Sequence, residues 1–178
     1  MSFLKILGIG GEEGSQADEG TATVRKIVAE LETMDPDKAR YVAAFAYILG
    51  RAAHADLDIS EVETRKMEEV IRRLGHLPEE QAILVVQIAK SQNRLFGHTE
   101  NFLVTREFVQ VSTPEQRQEL LDCLFAVSAA DESITSAEEA QIRQIASELG
   151  FSHRQFVEAR TVYSQHREVL KSLQKPSS

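Results

Sequence analysis

The stretch ADLDISEVE, residues 55–63, returns in altered form as ADESITSAE, residues 130–138, 75 positions later in the chain. In both copies an Asp follows Ala, an Ile precedes a hydroxyl residue, and a Glu stands three places after that hydroxyl. The correspondence continues through the next segment as far as Leu74-Gly75 and Leu149-Gly150. An acidic loop followed by a similar helix therefore occurs twice, which predicts two helix-loop-helix units related by a pseudo-twofold axis.

Apolar side chains recur at helical spacing along most of the chain, and no segment alternates with period two over a useful length. We therefore predict an all-α fold, a compact bundle of about seven to eight helices, over residues 22–178. Residues 1–21 are expected to form a flexible N-terminal tail, because their second half is rich in Gly, Ser and acidic residues without periodicity. The second helix, 37–54, is rich in Ala, which predicts close packing against its neighbours.

Pro and Gly residues predict where several helices begin and end. The first helix should end before Asp35-Pro36, because Pro disfavours helical backbone in the residue before it. Gly75 should close the third helix in the left-handed conformation, and Gly150 should close the seventh. The fourth helix should open with Pro78 in its first turn and run toward Gly97.

Composition excludes several classes of protein. The formal net charge of −8 and the lack of a basic stripe argue against binding to nucleic acid. The single cysteine, Cys123, cannot form an internal disulfide, and its apolar neighbours predict a buried small hydrophobe. No apolar run approaches the ~20 residues that span a bilayer. The first residues lack the pattern of a signal peptide, so we expect a cytoplasmic protein.

The repeated phrase has a purely structural interpretation. Ser60 with Glu63, and Thr135 with Glu138, match the capping box, in which the hydroxyl accepts from the backbone N–H three residues on and the Glu reaches back. Ile134 and its counterpart Ile59 would then pack into the core ahead of each cap.

The same phrase also has a chemical interpretation. It resembles the second half of an EF-hand loop, but carboxylates are missing from the first half of both copies, so a true EF-hand is rejected. If symmetry brings the two loops together, five carboxylates would be available to a hard cation such as Ca²⁺ or Mg²⁺. The predicted metal ligands are Asp56, Asp58, Glu63, Asp131 and Glu138.

The Ala-Asp-x-x-Ile-(Ser/Thr)-x-x-Glu phrase, the Leu-Gly ending of the next helix and the all-helical chain together resemble the TerB-like family. That family includes a bacterial tellurite-resistance protein and the N-terminal domain of a membrane-anchored DnaJ-type co-chaperone. The resemblance covers roughly residues 36–160. It implies a divalent-cation site on Asp56, Glu63, Asp131 and Glu138, and a cytosolic location with peripheral association at the inner membrane face. Family members commonly have Gly after the Asp, where this chain has Leu57 and Glu132.

We find no constellation of residues for enzyme catalysis. The five His are scattered without the spacing of a zinc hydrolase, and neither a nucleophile elbow nor a phosphate loop is present. We therefore expect a non-enzymatic, stress-response module of the tellurite-resistance type that uses a divalent cation and acts on a protein partner. The alternative is a metal-independent interaction adaptor, similar to a co-chaperone, in which the acidic loops only cap helices.

Overall fold

The structure, a computed structural model, describes residues 19–53, 60–91, 101–129, 134 and 136–162. Within these ranges every regular element is a helix, which confirms the predicted all-α bundle. The helices are α1 (Glu19–Thr33), α2 (Pro36–Ala53), α3 (Glu61–Leu74), α4 (Glu79–Lys90), α5 (Asn101–Val111), α6 (Pro114–Ser128), α7 (Ser136–Glu148) and α8 (153–162). The predicted tail, 1–21, lies outside the described residues except for 19–21, which belong to α1.

Helix α2 is the centre of the bundle. Its residues 41–50 are all buried, and it packs against α1, α4, α5, α6 and α7. A helix that is apolar on all sides needs neighbours all round, and this one has them. The small side chains of Ala43, Ala44 and Ala46 are fully buried and let these neighbours approach closely, as the Ala-rich composition predicted.

Aromatic side chains join the outer helices to this centre. On α2, Tyr41 and Phe45 pack against Phe108 of α5, with ring centroids 5.3 Å and 6.3 Å from it. At the other end of the chain Phe125 of α6 packs against Phe156 of α8 at 5.6 Å. Because large buried rings dominate core energetics, these contacts fix α5 and α8 on the bundle.

The helices of the two repeated units pack against each other across the units. The sequence repeat relates α2 to α6 and α3 to α7, and in the structure α2 packs against α7 while α3 packs against α6. Helices α2 and α6 also contact each other directly. The first helix of each unit therefore packs on the second helix of the other, which is the arrangement expected of a pseudo-twofold fold.

The two Leu-Gly helix ends differ. Gly150 has a φ of 92°, and the N–H groups of Gly150 and Phe151 donate to Ser147 and Ala146, at 3.1 Å and 2.9 Å. These bonds form a Schellman motif, so Gly150 closes α7 as predicted. The prediction of a left-handed Gly75 is wrong, because its φ is −81°.

Glycine is needed at position 75 because a Cβ atom there would be too close to neighbouring atoms. A Cβ atom there would lie 2.5 Å from the backbone oxygen of Ile71 and 3.4 Å from Sγ of Cys123. The left-handed backbone falls on the next residue, His76, with a φ of 53°. The chain therefore turns one residue later than the sequence pattern predicted.

Helix α4 also differs from its prediction at both ends. Pro78 is the N-cap residue and lies just ahead of the first turn, where it forms no side-chain cap. The helix ends at Lys90, earlier than the predicted run toward Gly97, and the N–H of Ser91 closes it on the carbonyls of Gln87 and Ile88.

Candidate cation site

The five predicted ligands divide between the described and the undescribed parts of the chain. Asp56, Asp58 and Asp131 lie outside the described residues. Glu63 lies in the first turn of α3, and Glu138 in the first turn of α7. The structure therefore locates one carboxylate from each copy of the phrase, each at the start of the helix that follows its loop.

Glu63 completes the predicted capping box. The N–H of Ser60 donates to Oε2 of Glu63 at 2.7 Å, and Oγ of Ser60 donates to the same oxygen at 2.8 Å. In return, the N–H of Glu63 donates to Oγ of Ser60 at 3.2 Å. Hydrogen bonds from the Ser60 backbone and side chain hold the pKa of Glu63 below its ordinary value. Both bonds use Oε2, so the cap does not need the second carboxylate oxygen.

The second copy is described more sparsely. Glu138 is half-buried, and Ile134 is half-buried and packs against the core, as predicted. The predicted cap Thr135 and the predicted core residue Ile59 lie outside the described residues. The capping box is thus confirmed in the first copy and stays a prediction in the second.

Helix α6 packs on the C-terminal half of α3 and on the turn that follows it. Glu119 on α6 contacts His76, with Oε1 3.0 Å from Nδ1, and Sγ of Cys123, one turn later, lies 4.0 Å from the backbone oxygen of Val70. The same Sγ lies 3.4 Å from the position that a Cβ atom of Gly75 would occupy. The two repeated units therefore contact each other through α6 and the second half of α3.

Within the described ranges, His, Cys, Asp and Glu side chains do not gather in groups of three or more that could hold a metal ion. Cys123 is fully buried, and burial raises the pKa of its thiol, which confirms the prediction of a small buried hydrophobe. A cation site built from the predicted ligands would consist of carboxylate oxygens only. Such donors suit Ca²⁺ or Mg²⁺.

A buried ionic cluster that the sequence did not predict lies at the C-terminal end of α2. Arg51, in the last turn of α2, forms a two-pronged salt bridge with Glu148, the last residue of α7, at 2.7 Å and 3.2 Å. Oγ1 of Thr105 on α5 donates to the same Glu148 at 3.1 Å. The side chains of Arg51 and Glu148 are only 7% and 11% exposed. We call Arg51, Glu148 and Thr105 the clasp.

One more polar contact links the same elements. Tyr47, one turn before Arg51, donates from its hydroxyl to Oδ1 of Asn101, the first residue of α5, at 2.6 Å. Burial raises the pKa of Tyr47, and the charge of Arg51 opposes that shift. Burial alone would also raise the pKa of Glu148, but the hydrogen bonds and charge of Arg51 outweigh it, so the pKa of Glu148 is lowered.

A signal for the clasp was present in the sequence. Arg51 follows an uninterrupted run of apolar residues and Gly from Tyr41 to Gly50, and this run is buried throughout. A charge at the end of a helix that is buried on every side must find a partner, because an unpaired buried charge is costly. The identity of that partner, 97 positions away, depends on tertiary packing alone.

Comparison with known proteins supports one family. The family model described as "Tellurite resistance protein TerB" matches residues 42–161, more than half of the chain, and this range includes both acidic loops and the clasp. Searches of curated proteins and of solved structures found no match. Among the described helices, none is long and apolar enough to cross a membrane.

Proposed function

The chain belongs to the TerB family, and we propose that it is a non-enzymatic, stress-response module of the tellurite-resistance type whose two acidic loops bind one divalent cation. The observation that carries the proposal is the repetition of the acidic phrase in two units that pack on each other, with Glu63 and Glu138 each in the first turn of the helix that follows its loop. Two acidic loops that converge would concentrate negative charge at one end of the bundle, and a cation would relieve that repulsion.

The ligands would come from two kinds of position, the loops and the first turns of the helices that follow them. Asp56, Asp58 and Asp131 would supply oxygens from the loops, while Glu63 and Glu138 would supply them from the first turns of α3 and α7. Ca²⁺ takes six to eight oxygens, so five carboxylates, some of them bidentate, are sufficient with one or two waters. The lack of sulfur and nitrogen donors disfavours Zn²⁺.

Binding would connect the two repeated units at a second place besides the packed core. We propose that the cation-bound end of the bundle presents a surface to a protein partner in the cytoplasm, with peripheral association at the inner membrane face. The net charge of −8 supports a protein partner over a nucleic acid.

Isothermal titration of Ca²⁺, Mg²⁺ and Zn²⁺ against the wild-type protein and Asp56→Asn/Asp131→Asn tests the proposal. Wild type should release or absorb heat with Ca²⁺ or Mg²⁺ and gain thermal stability in its presence, because a ligand that binds only the folded state stabilises it. The double variant should show neither effect. If wild type shows no binding heat and its melting temperature is unchanged by metal, the cation site does not exist.

The second candidate is a metal-independent interaction adaptor. The completed capping box of Ser60 and Glu63 favours it, because the cap alone is sufficient to explain both residues. In that case the titration gives no heat, yet Asp56→Asn/Asp131→Asn still captures the same partner as wild type. An enzyme would require a metal with an open ligand position in a pocket, and no observation favours it.

A further inference from the structure

A groove of about 450 Å³ lies between α1 and α4. On α4 its wall is formed by Glu80, Ile83 and Gln87, which are three and four positions apart and therefore share one face of the helix. On α1 the wall includes Lys26 and Glu30, again four positions apart. Two helix faces thus border an opening whose volume falls in the range of ligand sites, about 300–1,000 Å³. We call this opening the α1–α4 groove.

The floor of the α1–α4 groove is apolar. Met34 and Leu84 line it, and Leu84 is buried. Ile83 is only half-buried, although Ala82 and Leu84 on either side of it are buried in the bundle. An apolar side chain from another molecule would cover Ile83 and remove it from water. Such a contact is favourable, because burial of apolar surface drives association between proteins.

Acidic side chains border the groove from both helices, Glu30 from α1 and Glu80 from α4. Among the described residues that line it, Lys26 is the only basic one. Within the same described part of the chain, none of these three side chains forms an ion pair, so their charges are available to a partner. The groove is therefore negative, and it would attract Lys or Arg on a partner and repel Asp or Glu.

The two walls favour a helical partner, because an amphipathic helix that lies in a groove uses apolar anchors three and four positions apart. We propose that the α1–α4 groove binds a basic amphipathic helix of a partner protein. Apolar side chains of that helix cover Met34 and Ile83. Its Lys or Arg side chains pair with Glu30 and Glu80. The groove is built from α1, α4 and Met34 and not from the acidic loops, so this inference goes beyond the proposed function and does not depend on the cation.

The probe for the test is a fluorescein-labelled, amidated helical peptide with Leu along one face and Lys on both flanks of that face. Its binding to the full chain is measured by fluorescence anisotropy in EDTA, so that the outcome is independent of the cation site. Wild type should bind the peptide with a dissociation constant below about 100 μM. In the ¹H–¹⁵N NMR spectrum, the largest shifts on binding should fall on residues 26–34 and 80–87.

Charge variants test the acidic walls. Glu30→Lys/Glu80→Lys should weaken binding at least about tenfold, and Lys26→Glu should strengthen it, because these changes reverse the charges that face the partner. The matched control is Glu32→Lys/Glu115→Lys, which makes the same change in net charge at exposed positions on α1 and in the first turn of α6. The control should weaken binding no more than about threefold, through long-range attraction alone.

A neutral variant tests the apolar floor. Ile83→Ser leaves every charge in place and should still weaken binding at least about tenfold, because a polar side chain gives no apolar contact. Val157→Ser, at an exposed position of α8 outside the groove, is its control and should bind as wild type does. Circular dichroism checks that each variant is folded, and the charge variants test the groove independently if Ile83→Ser unfolds.

Three results would overturn the proposal. The first is a dissociation constant of wild type above about 1 mM. The second is an equal loss of affinity in Glu30→Lys/Glu80→Lys and in its control, which would show attraction to an acidic protein without a site. The third is a dimer of the free protein, seen by sedimentation, that Glu30→Lys/Glu80→Lys converts to a monomer, because the groove would then be covered by a second copy of the chain.

Discussion

At the scale of single residues, Glu63 uses only one of its two carboxylate oxygens to cap α3. Oε2 accepts both hydrogen bonds from Ser60, at 2.7 Å and 2.8 Å. A carboxylate can accept about four hydrogen bonds or bind a cation through the second oxygen while the first stays engaged. Capping and cation binding are therefore compatible at this residue.

The capping box of Glu63 should make stability depend on pH. The pKa of Glu63 is lowered in the folded state, so its stabilising effect is complete above the ordinary value of 4.5 and is lost as the pH falls through the lower folded pKa. Glu63→Gln keeps the box, as Gln116 does for Thr113, but does not titrate. Urea unfolding between pH 6 and pH 3 should show a shallower loss of stability in the variant. Identical slopes for wild type and variant would contradict this assignment.

Both residues of the cap could be predicted from the sequence, whereas the partner of Arg51 in the clasp could not. A capping box depends on residues three apart, so the identity of Ser60 and Glu63 is nearly sufficient. Arg51 and Glu148 meet only because α2 packs against α7. Their residue types alone do not reveal that these two side chains, far apart in sequence, form a pair. Local contacts were therefore recovered, and long-range pairing was not.

At the scale of helices, the ends of α3 and α7 provide a comparison of two glycines. Gly150→Ala should lower the free energy of unfolding by about 1 kcal/mol through left-handed backbone strain alone, because a Cβ there would meet no atom within 4 Å. Gly75→Ala should cost about 1–3 kcal/mol through overpacking, since its Cβ would meet the carbonyl of Ile71 at 2.5 Å.

Chemical denaturation of both variants and of Gly150→Asn measures these costs. Asn adopts left-handed backbone more readily than Ala, so Gly150→Asn should recover part of the loss. At position 75 the backbone is not left-handed, so Asn relieves no strain there. Gly75→Asn should therefore lower the free energy of unfolding more than Gly75→Ala, because its side chain is larger. A recovery by Asn at position 75 would contradict the steric explanation.

The helices themselves were predictable, and their ends were less so. Apolar spacing and the Ser60 cap depend on neighbouring residues, and the start of α3 is observed as predicted. At the end of α3 the left-handed backbone falls on His76 instead of Gly75, and the order of residue types alone did not predict that shift. Helix α4 ends at Lys90, short of the predicted end near Gly97.

At the scale of the whole molecule, the buried face of α2 limits which side chains the bundle accepts. Ala46→Leu should lower the free energy of unfolding by about 1–3 kcal/mol, because Ala46 is fully buried among closely packed helices. The matched change Ala137→Leu, at an exposed position in the first turn of α7, should stay within about 0.5 kcal/mol of wild type. Urea unfolding measures both. A loss of equal size in the two variants would contradict the central position of α2.

The pseudo-twofold arrangement was predictable from the repeated phrase because the repeat extends through whole helices. The sequence did not predict that the first helix of each unit packs on the second helix of the other unit. Packing within one unit would bury the same apolar faces. The two halves are also unequal. Among the described residues, the clasp joins the end of α2 to the end of α7, whereas the corresponding positions at the ends of α6 and α3 are Ala126 and Arg73. The sequence repeat thus predicts the overall arrangement of the helices, but not these differences between the two junctions.

The most direct test of a shared cation site is the number of ions bound per chain in the single variants Asp56→Asn and Asp131→Asn. Equilibrium dialysis with Ca²⁺ should give one ion per wild-type chain. Each single variant should then lose that ion, because both loops contribute ligands to it. Two ions per wild-type chain, with one remaining in each variant, or no ion in wild type, would contradict the convergence of the loops on one cation.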